Sequence, residues 1–121
     1  MPEKDLASVV TGEMDLKDAV FNCAEGGFDL IAGRSGSGSL GTLSVGQLQK
    51  IRQDLANLSS SYDFIILDLG AGIDDAVRTL SGGAGPKLVV TTGDPTSLTD
   101  AYAYIKVTSQ ITPDADLRIL V

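Results

Sequence analysis

Asp68 is the residue of this sequence best placed to do chemistry. The apolar run Phe64-Ile65-Ile66-Leu67 leads straight into it, and Gly70, Ala71 and Gly72 follow directly after Leu69. A buried strand that ends in a carboxylate puts negative charge where open α/β sheets bind their ligands, at the carboxyl ends of the strands. A carboxylate there can hold Mg²⁺, often through a water, beside nucleotide phosphates. Glycines at 70 and 72 let the backbone approach a phosphate and aim N–H groups at it. The same residues also describe a plain strand that ends in a solvated aspartate at a glycine turn. The pattern alone leaves both readings open.

Other chemistries find little material. The chain has no His, which removes His-based triads, His metal sites and His acid–base catalysis. Cys23 is alone, so no intrachain disulfide can form. It falls on the stripe Leu16, Ala19, Val20, Cys23, which favours core packing over a reactive thiol. A lone Cys and no signal peptide suit the cytoplasm. The net charge is −7, and the 9 basic residues are scattered, so no footprint for nucleic acid exists and an anionic membrane would repel the surface. Gly36-Ser37-Gly38-Ser39-Leu40-Gly41 fits G-x-G-x-x-G after a strand. The strand-end acid expected ~20 residues on is wanting, because Asp63 comes too late and opens its own strand. A flexible Gly/Ser loop accounts for that stretch.

The elements that must position Asp68 can be read from periodicity. Four apolar runs predict strands, at residues 28–32, 62–67, 87–92 and 117–121. The last three are almost continuously apolar, which suits strands of a parallel sheet covered on both faces. Helical patterns lie between the runs. Asp15 caps a short one bearing Leu16, Ala19, Val20 and Cys23. Ser44 and Gln47 form a capping box before Leu48, Ile51, Leu55 and Leu58. Asp74 and Asp75 sit at the positive end of a third helix that runs to about Leu80. Ser97 and Asp100 make another box, ahead of Leu98, Ala101, Tyr102 and Ile105. Strands alternating with helices predict an α/β fold, a parallel sheet flanked by helices. There is no internal repeat, and no apolar run reaches the length of a bilayer span.

With these residues in place, a family resemblance becomes specific. Residues 62–73, Tyr-Asp-Phe-Ile-Ile-Leu-Asp-Leu-Gly-Ala-Gly-Ile, resemble the Walker B and switch II segment of MinD/ParA-type P-loop ATPases. Residues 88–106, Leu-Val-Val-Thr-Thr-Gly-Asp-Pro-Thr-Ser-Leu-Thr-Asp-Ala-Tyr-Ala-Tyr-Ile-Lys, resemble the strand, turn and helix that follow. Upstream, the run from Leu6 to Val20 and the run from Phe28 to Gly38 resemble the family's preceding segments, in the same order. Among subgroups the chain is most similar to flagellar number and placement regulators of the FlhG/FleN kind, on the strength of Thr-Ser-Leu-Thr-Asp-Ala-Tyr. Division-site MinD regulators are the next most similar.

The resemblance implies a partial three-layer P-loop NTPase domain. Residues 1–121 would be its central segment, with the P-loop part before it and further chain after it. Asp68 would match the carboxylate that acts on Mg²⁺ through water and on the attacking water. Gly70, Ala71 and Gly72 would match the switch II turn near the γ-phosphate. Ser97, Thr99 and Asp100 would lie on a face shown to a dimer mate or regulator, although helix capping explains Ser97 and Asp100 without any partner. The full-length family binds ATP and Mg²⁺, dimerises in the ATP state, meets a regulator or cargo, and works in the cytoplasm or at the inner membrane. Membrane contact would come only through segments outside this chain.

The departures from the family pattern are as informative. No Gly-Lys-Ser or Gly-Lys-Thr occurs, and Gly33-Arg34-Ser35-Gly36-Ser37-Gly38-Ser39 carries Ser39 where the loop needs Lys. Without that Lys and the helix behind it, the β- and γ-phosphates have no cradle. The family's adenine-reading Asn would lie past Val121, and Gly93-Asp94-Pro95 stands for a more usual Pro-Glu-Pro. This chain alone is therefore expected to be inactive. An interaction module of the same fold without hydrolysis is the alternative. A phospho-accepting receiver would also suit an acidic chain with a strand-end Asp and Thr91 or Thr92 as its hydroxyl. Receivers, however, show an acidic pair after the first strand, where this chain has Gly33-Arg34.

Overall fold

In the computed structural model the chain is a mixed α/β molecule of two compact units, Met1–Ile65 and Ile66–Val121. The structure describes residues 4–33, 40–70, 73–83 and 85–121.

The first unit is built on helix α1 (Leu6–Val10), strands β1 (Phe21–Cys23) and β2 (Phe28–Leu30), and helix α2 (Val45–Leu58). Asp5 caps α1, its carboxylate accepting from the Ser8 amide at 2.9 Å. Gly12 closes the same helix with φ +81°, a left-handed conformation that an L side chain resists. The capping box of α2 is complete: Gln47 N–H donates to Ser44 Oγ at 3.2 Å, and Ser44 N–H donates to Gln47 Oε1 at 2.9 Å. The three- and four-residue spacing puts Leu48 and Ile51 on the buried face of α2. Leu55 and Leu58 pack onto a core of Val9, Leu16 and Ala19, joined by Leu6, Met14 and Ile31.

Two expectations for this unit need correction. The helix expected through Cys23 is a single 3₁₀ turn, Leu16–Ala19, whose Asp15 makes no side-chain cap. Val20 then turns extended, and residues Phe21–Cys23 become a strand with Cys23 half-buried in it. The reason is the sequence beyond: Val20 and Phe21 favour extended backbone, and Gly26-Gly27 offers a cheap reversal. Gly27 takes φ +68°, and a Cβ on Gly26 would run into the Phe28 ring. The expected strand at 28–32 therefore pairs antiparallel with β1, in the register Phe21↔Leu30, Asn22↔Asp29, Cys23↔Phe28. Its only parallel partner among the described residues is an isolated bridge, Asp5↔Ala32.

The second unit holds helix α3 (Asp75–Ser81), strand β3 (Lys87–Val90), helix α4 (Pro95–Ile111) and strand β4 (Leu117–Leu120). Asp74 and Asp75 lie at the start of α3 as expected, and Asp74 is its N-cap, accepting from the Val77 amide at 2.9 Å. Ala76, Val77 and Leu80 are the buried residues of that helix. Strands β3 and β4 pair in parallel, Lys87↔Leu117 through Val90↔Leu120, with α4 as the crossover, so the expected βαβ unit is present. Helix α4 packs on β3, whose buried residue is Val89.

Helix α4 starts earlier than the Ser97–Asp100 pattern predicts. Pro95 occupies its first turn and Asp94 is the N-cap. Proline's fixed φ and missing N–H suit the first helical position, so Pro95 overrides the box two residues on. The expected apolar face is only partly covered: Leu98 and Tyr102 are exposed, while Ala101 and Ile105 are half-buried.

The run 62–67 forms no ladder with any described strand. Phe64 is 87% exposed and Ile66 90%, against 39% for both Ile65 and Leu67, which is the alternation of an extended segment without the sheet to cover it. Apolar periodicity specifies how side chains alternate. A ladder also needs a partner strand, which the described residues do not supply. The two parallel strands and one hairpin are thus a smaller assembly than the three-layer sheet expected.

Candidate functional site

Asp68 lies in the non-ladder stretch of the second unit, and its side chain is exposed. No hydrogen bond or ion pair engages its carboxylate among the described residues, which leaves both oxygens available to a ligand. Gly70 is exposed as well, and a Cβ built on it would meet nothing within 4 Å. Packing among the described residues therefore does not demand glycine there. Ala71 and Gly72 lie outside the described residues, as do residues 34–39 of the Gly/Ser loop.

A single unengaged carboxylate with open space beside it fits one side of a Mg²⁺–nucleotide site. Such sites take one or two carboxylates and leave the remaining positions to water and phosphate. The described residues contain no cluster of three or more His, Cys, Asp or Glu able to cage a metal.

A connected polar constellation lies at the carboxyl end of β3. Thr91 is buried, and its amide donates to Leu120 O at 2.9 Å, carrying the parallel ladder one residue past β3. Its hydroxyl donates to Thr92 O at 3.2 Å and lies 3.0 Å from Ser97 Oγ. With the Thr91 proton committed to that carbonyl, Ser97 is the donor between the two hydroxyls. Ser97 Oγ also accepts from the Thr92 amide at 2.9 Å. Thr92 Oγ1 donates to Asp94 Oδ2 at 3.1 Å, which holds the Asp94 carboxylate away from the helix amides. Ser97 is therefore a tie across the strand-to-helix turn. Thr99 returns its hydroxyl to Pro95 O at 2.8 Å, and both Thr99 and Asp100 are exposed. No hydrogen bond or ion pair joins Asp68 to Ser97, Thr99 or Asp100 among the described residues.

A third constellation, in the first unit, escapes sequence reasoning. Tyr62 Oη donates to Asp29 Oδ2 at 2.6 Å, and Asn22 Nδ2 donates to Asp29 Oδ1 at 2.6 Å. The Tyr62 hydrogen bond, then that of Asn22, holds the Asp29 carboxyl below its ordinary range, and the same carboxylate raises the Tyr62 phenol. The tie joins the hairpin to the first residue of the 62–67 run. Asn22 and Asp29 face each other in the β1–β2 register, a pairing that the folded hairpin creates.

Fold and site together define a class: a mixed α/β chain with a β-α-β crossover and a free carboxylate after an apolar run. No family model matches the chain. It is 35% identical over 106 residues to the antiactivator FleN of Pseudomonas aeruginosa, covering 88% of this chain and 38% of that protein. It is 34% identical over 107 residues to the flagellum site-determining protein YlxH of Helicobacter pylori, covering 88% of this chain and 36% of that one. The similarity expected from the sequence, to regulators of the FlhG/FleN kind, is met by these two proteins, one of them named for determining the flagellum site. The chain spans little more than a third of the length of these relatives.

Proposed function

We propose that this chain is the Walker B and switch II portion of an ATP-driven switch that sets the number and placement of flagella. The observation that carries the reading is the similarity, across 88% of the chain, to two proteins from different organisms, the antiactivator FleN and the flagellum site-determining protein YlxH. The sequence around Asp68 and the free state of its carboxylate are consistent with it.

Bound Mg²⁺ and ATP would supply the electrophilic phosphorus and the charge that makes it reactive. Asp68 would hold the ion through a water and orient the water that attacks. The backbone from Gly70 through Ala71 to Gly72 would follow the γ-phosphate and report its loss. Preorganised charge and positioning of this kind are the main levers in phosphoryl transfer. The phosphate cradle would come from chain outside this segment. Nucleotide-dependent pairing of two copies, with Thr99 and Asp100 on an exposed helix start and Ser97 fixing the turn beneath, would present the switch to a regulator or cargo. The place of action would be the cytoplasm, with any membrane contact made by other segments. The whole would have the three-layer α/β architecture of which the βαβ unit here is one part.

A non-catalytic module of the same fold is the second reading. It requires that the whole protein lack a Gly-Lys-Ser or Gly-Lys-Thr loop, as residues 1–121 do. One experiment separates the two: Asp68→Ala in the protein encoded with its natural flanking sequence. On the switch reading, MgATP hydrolysis falls about 100-fold or more, in line with loss of a group acting on the transition state, and flagella per cell change in number. If flagellation changes while the parent protein hydrolyses no ATP, the module reading holds. Normal hydrolysis and normal flagellation in the variant would dismiss the role given to Asp68.

A further inference from the structure

We draw no further inference here: the strongest candidate, the exposed apolar face of the β3–β4 pair formed by Leu88, Val90 and Leu120, carries nothing because nothing in the structure shows what covers it.

Discussion

Asp29 accepts two short hydrogen bonds from side chains that lie on either side of it in sequence, and this gives it a testable signature. Its carboxyl is held below the ordinary value of 3.8, chiefly by Tyr62 and next by Asn22. A carboxyl depressed in the fold adds stability that is present above its unfolded value and lost as pH falls through its folded value. Tyr62 runs the other way. Its phenol is raised above 10.0, first through the Asp29 hydrogen bond, so its contribution is present below that value and lost as pH rises through the folded one. Tyr62→Phe keeps the ring and removes the proton donor. The acid limb of stability, between about pH 5 and 3, should flatten in that variant, and urea midpoints taken across that range check it. An unchanged acid limb would mean that solvent screens the pair completely. No local pattern announces this tie, because its partners stand 33 residues apart. Asp68, by contrast, is singled out by its immediate neighbours in the sequence.

Helix α2 shows what an element needs in order to be readable. Its capping box and its apolar spacing are both local, and both appear in the structure at the residues that predict them. Ser44→Ala should cost about 1 kcal/mol, the usual worth of an N-cap. Leu48→Ala, at a side chain with no exposure, should cost about 2–5 kcal/mol through lost burial and the cavity left behind. Urea denaturation followed by far-ultraviolet circular dichroism measures both, and equal losses would contradict the burial assigned to Leu48. Elements with competing signals are read less well. The start of α4 carries both a Ser97–Asp100 pattern and a proline two residues earlier, and the proline decides. Strand β1 has three residues, too few to show a period of two against the helical stripe that runs into it. The 62–67 run, almost continuously apolar in sequence, alternates in exposure without a ladder, since hydrogen-bond partners are a property of the assembly and not of the segment.

For the molecule as a whole, the decisive quantity is apolar surface left in water. Phe64, Ile66, Leu88, Val90, Ile119 and Leu120 are each more than half exposed, and the β3–β4 pair ends in unpaired strand edges among the described residues. Exposed apolar surface and open edges favour association with other chains. The net charge of −7 opposes it through like-charge repulsion. The 121-residue chain alone should therefore associate increasingly with concentration, and more strongly as salt screens the repulsion. Sedimentation velocity from micromolar to near-millimolar protein, at low and high salt, tests this. A monomer that persists throughout would show that this exposed surface does not drive association. In the same samples, MgATP should leave the melting temperature nearly unchanged, because a ligand stabilises only the fold it binds and residues 1–121 carry no Gly-Lys-Ser or Gly-Lys-Thr. A clear Mg²⁺-dependent rise that Asp68→Ala abolishes would show that this segment binds nucleotide by itself, and the division of labour proposed between it and its flanks would have to be given up.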